Sequence, residues 1–133
     1  MGRVLDGGLL LARLPKGLIG EETARLAGSL IIAKTWQAAL ARAATPEHQR
    51  RDASVYLDEC HNFVHLPGAL EDILAEARGY RVSLVLAHQH LGQLGRDLAA
   101  SVSANARNKV CFTLDPADAR VLGPADGAGA HRG

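Results

Sequence analysis

The stretch Ser54-Val55-Tyr56-Leu57-Asp58-Glu59-Cys60-His61-Asn62-Phe63 joins a short run of β-forming residues to two adjacent carboxylates. This is the pattern of a buried parallel strand whose C-terminal tip carries acids into a ligand crevice. Read as chemistry it is a Walker B element: Asp58 would hold Mg²⁺, usually through a water, and Glu59 would orient and polarise the water that attacks a γ-phosphate. A strand closed by a solvated Asp-Glu turn is the competing reading. A second polar tip, His88-Gln89-His90, follows the apolar run Val82-Ser83-Leu84-Val85-Leu86-Ala87. If the two runs are neighbouring parallel strands, both tips fall at one edge. The Gln89 amide could then donate to a γ-phosphate oxygen and accept from the attacking water. Its alternative is a strand-end glutamine that caps a loop.

The elements that must position these tips alternate along the chain. Gly8 to Leu14 reads as a short apolar strand closed by the turn Pro15-Lys16-Gly17. Gly20-Glu21-Glu22 opens a long helix to about Ala44, whose first-turn acids suit the positive end of the helix dipole. Leu26, Leu30, Ala33 and Leu40 recur at helical spacing as its expected buried stripe, with Arg25, Lys34 and Arg42 on other sides. After a polar linker, Thr45 to Asp52, comes the acidic strand, then a break at Leu66-Pro67-Gly68. A helix from about Ala69 to Arg78 follows, with Leu70, Ile73, Leu74 and Ala77 on one face and Gly79 placed to stop it. Beyond the Gln89 strand the pattern predicts a helix over Asp97 to Ala106, a strand over Lys109 to Leu114, and a helical turn from Asp115-Pro116 to Leu122. Strand and helix thus alternate four times, which argues for an open α/β sheet of parallel strands with right-handed crossovers. The Gly- and Ala-rich tail, 123–133, reads as a flexible extension, and no internal repeat is present.

Composition sets the outer limits. With 133 residues, 47% of them hydrophobic, the chain has room for one small domain with a core. No run approaches the ~20 apolar residues that span a bilayer, and the start lacks the features of a secretory signal, so a soluble, cytoplasmic chain is expected. Two cysteines, Cys60 and Cys111, cannot build a disulfide framework. A net charge of +1 gives no general footprint for nucleic acid, although Arg50-Arg51 and Arg78 with Arg81 could form a local basic face.

The succession of residues 55–63, 70–80 (Leu-Glu-Asp-Ile-Leu-Ala-Glu-Ala-Arg-Gly-Tyr), 83–94 and 105–112 (Asn-Ala-Arg-Asn-Lys-Val-Cys-Phe) resembles the C-terminal half of a HerA/FtsK-superfamily motor. More narrowly, it is similar to the TraG/TraD-type coupling ATPases of conjugation and type IV secretion. There, an Asp-Glu strand is followed by a helix bearing Arg and a strand ending in Ala-Thr-Gln-Ser or similar. Here the Gln is kept as Gln89, while His88 and His90 replace its neighbours. The resemblance covers roughly Gly8 to Leu122. It implies an α/β fold, an incomplete RecA-like (P-loop NTPase) parallel sheet with flanking helices, and two segments: 1–122 as the C-terminal portion of a motor domain and 123–133 as a tail. It further implies ATP and Mg²⁺ as cofactors, and DNA and DNA-processing (relaxosome) proteins as partners. A homo-hexameric ring would work at the cytoplasmic face of an inner-membrane channel, touching the membrane only through segments not present here. By the same resemblance Asp58 is the magnesium carboxylate, Glu59 the catalytic base and Gln89 the γ-phosphate sensor. Arg107 is a candidate arginine finger, against the reading of an ordinary surface arginine at a helix end.

One part of the pattern is missing. The chain contains no Gly-x-x-x-x-Gly-Lys-Ser/Thr and no Gly-Lys pair. Its nearest imitation, Lys16-Gly17-Leu18-Ile19-Gly20-Glu21-Glu22-Thr23, puts two carboxylates where phosphates need bare N–H groups and a cation. The phosphate-loop strand therefore has to come from elsewhere. It would lie between the last strand and the one ending at Gln89, and the isolated chain is expected to be inactive. Three other readings compete. One is a non-catalytic binding module or truncated relic. Another takes Asp58-Glu59-Cys60-His61 as a DExH-type helicase fragment, which lacks its expected Ser/Thr-Ala-Thr partner. The third gathers Cys60, His61, His65, His88 and His90 around zinc.

Overall fold

The computed structural model describes residues 1–63, 69–106 and 108–122. Two five-residue strands, β1 (Ala53–Leu57) and β2 (Val82–Leu86), pair in parallel with Ala53 opposite Val82 and Leu57 opposite Leu86. A parallel pair needs a crossover, and α4 (Ala69–Glu76) with a 3-10 turn, Ala77–Tyr80, lies in it. The long helix α3 (Glu21–Ala41) precedes β1, while α5 (Arg96–Asn105) and α6 (Pro116–Leu122) follow β2. Two single helical turns, α1 (Gly2–Leu5) and α2 (Lys16–Ile19), stand before α3. The architecture is α/β, a two-stranded parallel sheet with flanking helices.

One face of the sheet is covered. Val55, Leu57, Leu84 and Leu86 pack on a core of Leu5, Ala39, Cys60, Ile73, Ala77, Val82, Leu94, Leu98 and Val102, joined by Ile32 and Trp36 of α3. The Trp36 and Tyr80 rings meet edge to face at 5.5 Å. Ser54, Tyr56, Ser83 and Val85 point the other way and are exposed, with the two serine hydroxyls 2.9 Å apart. Ile73 of α4 and Ala77 of the 3-10 turn after it are buried and Leu74 is half-buried, as the sequence pattern picks out.

Several sequence expectations fail. Residues 8–14 form no strand: among the described residues no strand pairs with them, and Leu9 is 93% exposed. Residues 109–114 likewise stay out of the sheet, leaving Phe112 97% exposed and Cys111 in the open. An apolar run becomes a strand only when a ladder and a packed face are available. The turn at Pro15-Lys16-Gly17 winds into α2, and Gly20, at φ +82°, links it to α3. On α3 the buried residues are Ala24, Gly28, Ser29 and Ala39, and the leucines Leu26, Leu30 and Leu40 are exposed. Close approach explains the choice, because a Cβ at Gly28 would overlap the Phe63 ring. Arg42, expected on a polar side, is buried, and its guanidinium donates to the carbonyls of Leu5, Arg51 and Tyr80.

The α4 stop also shifts. The chain runs past Gly79 to Arg81, which caps the turn in the left-handed region at φ +55°. The expected break at Leu66-Pro67-Gly68, His65, Arg107 and the tail 123–133 lie outside the described residues.

Candidate site at the strand tips

The two tips adjoin. Past the last paired residues, Ala87 N–H donates to Leu57 O at 2.9 Å and Cys60 N–H returns to Ala87 O at 3.0 Å. Asp58 and Glu59 are thereby held beside His88 and Gln89 at one edge of the sheet. Neither carboxylate has a hydrogen bond to the Gln89 side chain among the described residues. That amide belongs to an exposed residue, whose N–H donates to Gln93 Oε1 at 3.1 Å.

The acidic turn is tightly specified. Glu59 has φ +46°, an uncommon conformation for a side-chain-bearing residue, and its N–H donates to Asp58 Oδ1 at 2.9 Å. The following 3-10 turn, Cys60–Phe63, brings Asn62 round beneath it. Asn62 is only 3% exposed, and its amide nitrogen donates to both Glu59 O and Glu59 Oε2 at 3.1 Å. Lys16 arrives from α2, donating to Asn62 Oδ1 at 2.8 Å with its ammonium 3.6 Å from Glu59 Oε2. Both ends of that ion pair are about half in water, so its value lies in orientation more than in stability. Beneath the turn, Ser29 Oγ of α3 donates to Phe63 O at 3.2 Å, and Gly28 admits the Phe63 ring. On the other tip, Asp118 of α6 is buried and accepts from Leu91 N–H at 2.9 Å, which anchors the segment after Gln89.

Lys16, Asn62, Gln93 and Asp118 were not singled out from the sequence. Only Asn62 leaves a local signal, its three-residue spacing from Glu59. The others reach the site through tertiary structure.

The chemistry of the donors can be weighed. Asp58 and Glu59 offer hard carboxylate oxygens near water, the type that Mg²⁺ takes. Among the described residues no glycine-rich cradle stands beside them, and the Lys16 ammonium is engaged with Asn62 and Glu59. Two carboxylates alone do not make a metal-ligand set, and they do not by themselves grip a triphosphate. For zinc the donors do not converge: among the described residues no three of His, Cys, Asp and Glu gather as a ligand set. Burial pushes the Cys60 thiol up from its ordinary value of 9.0, partly opposed by the backbone N–H groups of Cys60 and His61. It therefore stays protonated as a core side chain. The Nδ1 atoms of His61 and His88 are buried without a partner among the described residues.

The fold and site define an α/β unit that presents acids and amides at the shared edge of two parallel strands. Residues 52–124, more than half of the chain, match the family described as the TraM recognition site of TraD and TraG, and the chain belongs to that family. No curated protein and no solved structure matches it. Among the described residues no helix is long and apolar enough to cross a membrane.

Proposed function

We propose that this chain is part of a conjugative coupling protein, supplying the water-activating edge of an ATP-driven motor and a docking surface for TraM or a related relaxosome protein. The observation that carries the motor reading is the backbone bond from Cys60 to Ala87, which sets the Asp58-Glu59 turn against the His88-Gln89 tip. Family membership supports the coupling role, since the matched region is named for TraM recognition.

In this reading the sheet is the remnant of a larger RecA-like one. The outer edges of β1 and β2 are unpaired among the described residues, and residues 109–114 lie exposed nearby in sequence with strand-like composition. A phosphate-loop strand between β2 and 109–114 would pair both and cover apolar surface. Asp58 would hold Mg²⁺ through a water, and that ion would offset charge on the phosphate oxygens. Glu59, oriented by Asn62, would accept a hydrogen bond from the attacking water and take its proton. Gln89 would donate to a terminal phosphate oxygen. A homo-hexameric ring acting on DNA, with Arg107 reaching a neighbour's site, completes the proposal.

The test is ATP turnover by this chain supplied with a phosphate-loop segment. Turnover that Glu59→Gln abolishes, and that Gln89→Ala reduces with ATP binding kept, supports the reading. Turnover indifferent to Glu59→Gln overturns it.

A further inference from the structure

The last helix is held in place by a carboxylate. In α6, Pro116, Ala117, Ala119, Arg120 and Val121 are exposed and Leu122 is half-buried, whereas Asp118 is buried at 8% exposure. Helices of soluble domains ordinarily dock through an apolar stripe. Here the docking side is polar: Asp118 Oδ2 accepts from Leu91 N–H at 2.9 Å, and among the described residues no ion pair offsets its charge. Asp115 braces the start of the same helix, accepting from Ala117 N–H at 2.7 Å and Asp118 N–H at 2.8 Å.

That bond leads back to the strand tip. Leu91 opens a 3-10 turn, Leu91–Gln93, and the first N–H of such a turn has no partner inside it. Asp118 supplies the partner from 27 residues away. The turn closes through Gln93 N–H to His90 O at 3.2 Å and Leu94 N–H to Leu91 O at 2.9 Å, with Leu94 buried in the core. Gln93 Oε1 then accepts from Gln89 N–H at 3.1 Å. Asp118, Leu91, Gln93 and Gln89 are thus linked in one succession of hydrogen bonds and a single tight turn.

We propose that Asp118 is a positioning residue for Gln89, and that α6 is a latch on the strand tip, docked when the bond to Leu91 is made and free when it is broken. A carboxylate taken out of water against one neutral donor is held only narrowly against its own desolvation. An element that buries little apolar surface opens locally, without unfolding the rest. Docked, α6 fixes the turn that holds Gln89; undocked, it leaves Gln89 free to move. What Gln89 does when held rests on the motor reading, whereas the latch itself needs no nucleotide.

The test is nuclear magnetic resonance of the whole chain, without nucleotide, on the parent, Asp118→Ala and Asp118→Asn. Asp118→Ala is expected to speed amide exchange along α6 about tenfold, the scale of one lost hydrogen bond. The Leu91 amide and both amides of Gln89, backbone and side chain, should shift with it, while exchange in β1 and β2 keeps the parent's rate. Asp118→Asn retains an acceptor oxygen in the same shape and should keep the parent's Gln89 signals. Gln89 signals unmoved in Asp118→Ala would overturn the proposal. So would Asp118→Asn as disruptive as Asp118→Ala, or faster exchange throughout β1 and β2, which would make Asp118 a prop of the whole fold. Because no ATP is present, a failed turnover assay and a failed latch are read separately.

Discussion

Replacing Arg42 with alanine should destabilise this fold more than any change at the candidate site. The guanidinium is 7% exposed and ties three separate segments together. One nitrogen donates to Arg51 O at 2.9 Å and Tyr80 O at 3.0 Å; the other donates to Leu5 O and pairs with Asp6 at 3.2 Å. Alanine leaves three carbonyls without their donor, and at roughly 1 kcal/mol or more for each orphaned group the loss is about 3 kcal/mol. The exposed Asp6 carboxylate adds little, since water replaces its partner. For a domain holding only about 5–15 kcal/mol, such a loss is a large share. It corresponds to a drop in thermal midpoint of roughly 10–15 °C at this chain length. Arg42→Lys should fall between, because an ammonium keeps the charge but cannot span the same acceptors. Urea and thermal unfolding followed by circular dichroism would measure both. A midpoint for Arg42→Ala within about 2 °C of the parent would refute the reasoning.

Further outcomes follow from local geometry. Gly28→Ala, stabilising by about 1 kcal/mol on helix propensity alone, should instead destabilise by about 1–3 kcal/mol, because the new Cβ meets the Phe63 ring; chemical denaturation gives the sign. Native thiol labelling should modify the exposed Cys111 quickly and Cys60 only on unfolding, with labelling at Cys60 as fast as at Cys111 the contrary result. Since burial raises the Cys60 pKa above 9.0, stability from this residue is full below about pH 9 and is lost as pH rises through the higher folded value. Asp115 caps α6, its carboxylate accepting from Ala117 N–H at 2.7 Å and Asp118 N–H at 2.8 Å. Those N–H groups, Asp118 first, lower its pKa from 3.8. The cap is therefore present above about pH 4 and lost as pH falls through the folded value, which amide exchange along α6 would show.

The sequence is most legible where local pattern and tertiary packing agree. The runs Val82-Ser83-Leu84-Val85-Leu86 and Ser54-Val55-Tyr56-Leu57 are short, apolar and bounded by polar residues, and both are strands, parallel and adjacent. The helices α3 and α5 fall within a few residues of their expected limits. Legibility fails where a segment's state depends on a partner. Residues 8–14 and 109–114 have strand composition, but among the described residues no ladder reaches them. On α3, apolar residues occur nearly all round, so periodicity cannot select a face. The large leucines attract attention, whereas Gly28 and Ala39 permit the close contact. At the site, the acids and Gln89 stand out by type. Lys16 and Asp118 do not, because 43 and 29 residues of chain separate them from Glu59 and Gln89.

In the proposed function the acidic turn and Gln89 face one ligand. The most direct measurement is paramagnetic broadening of the labelled chain by Mn²⁺, a stand-in for Mg²⁺ at Asp58 and Glu59. Early broadening of the Glu59 backbone and Gln89 side-chain amide signals, abolished by Asp58→Asn with Glu59→Gln, is the predicted result. Signals of the acidic turn that broaden while those of Gln89 stay sharp would contradict it.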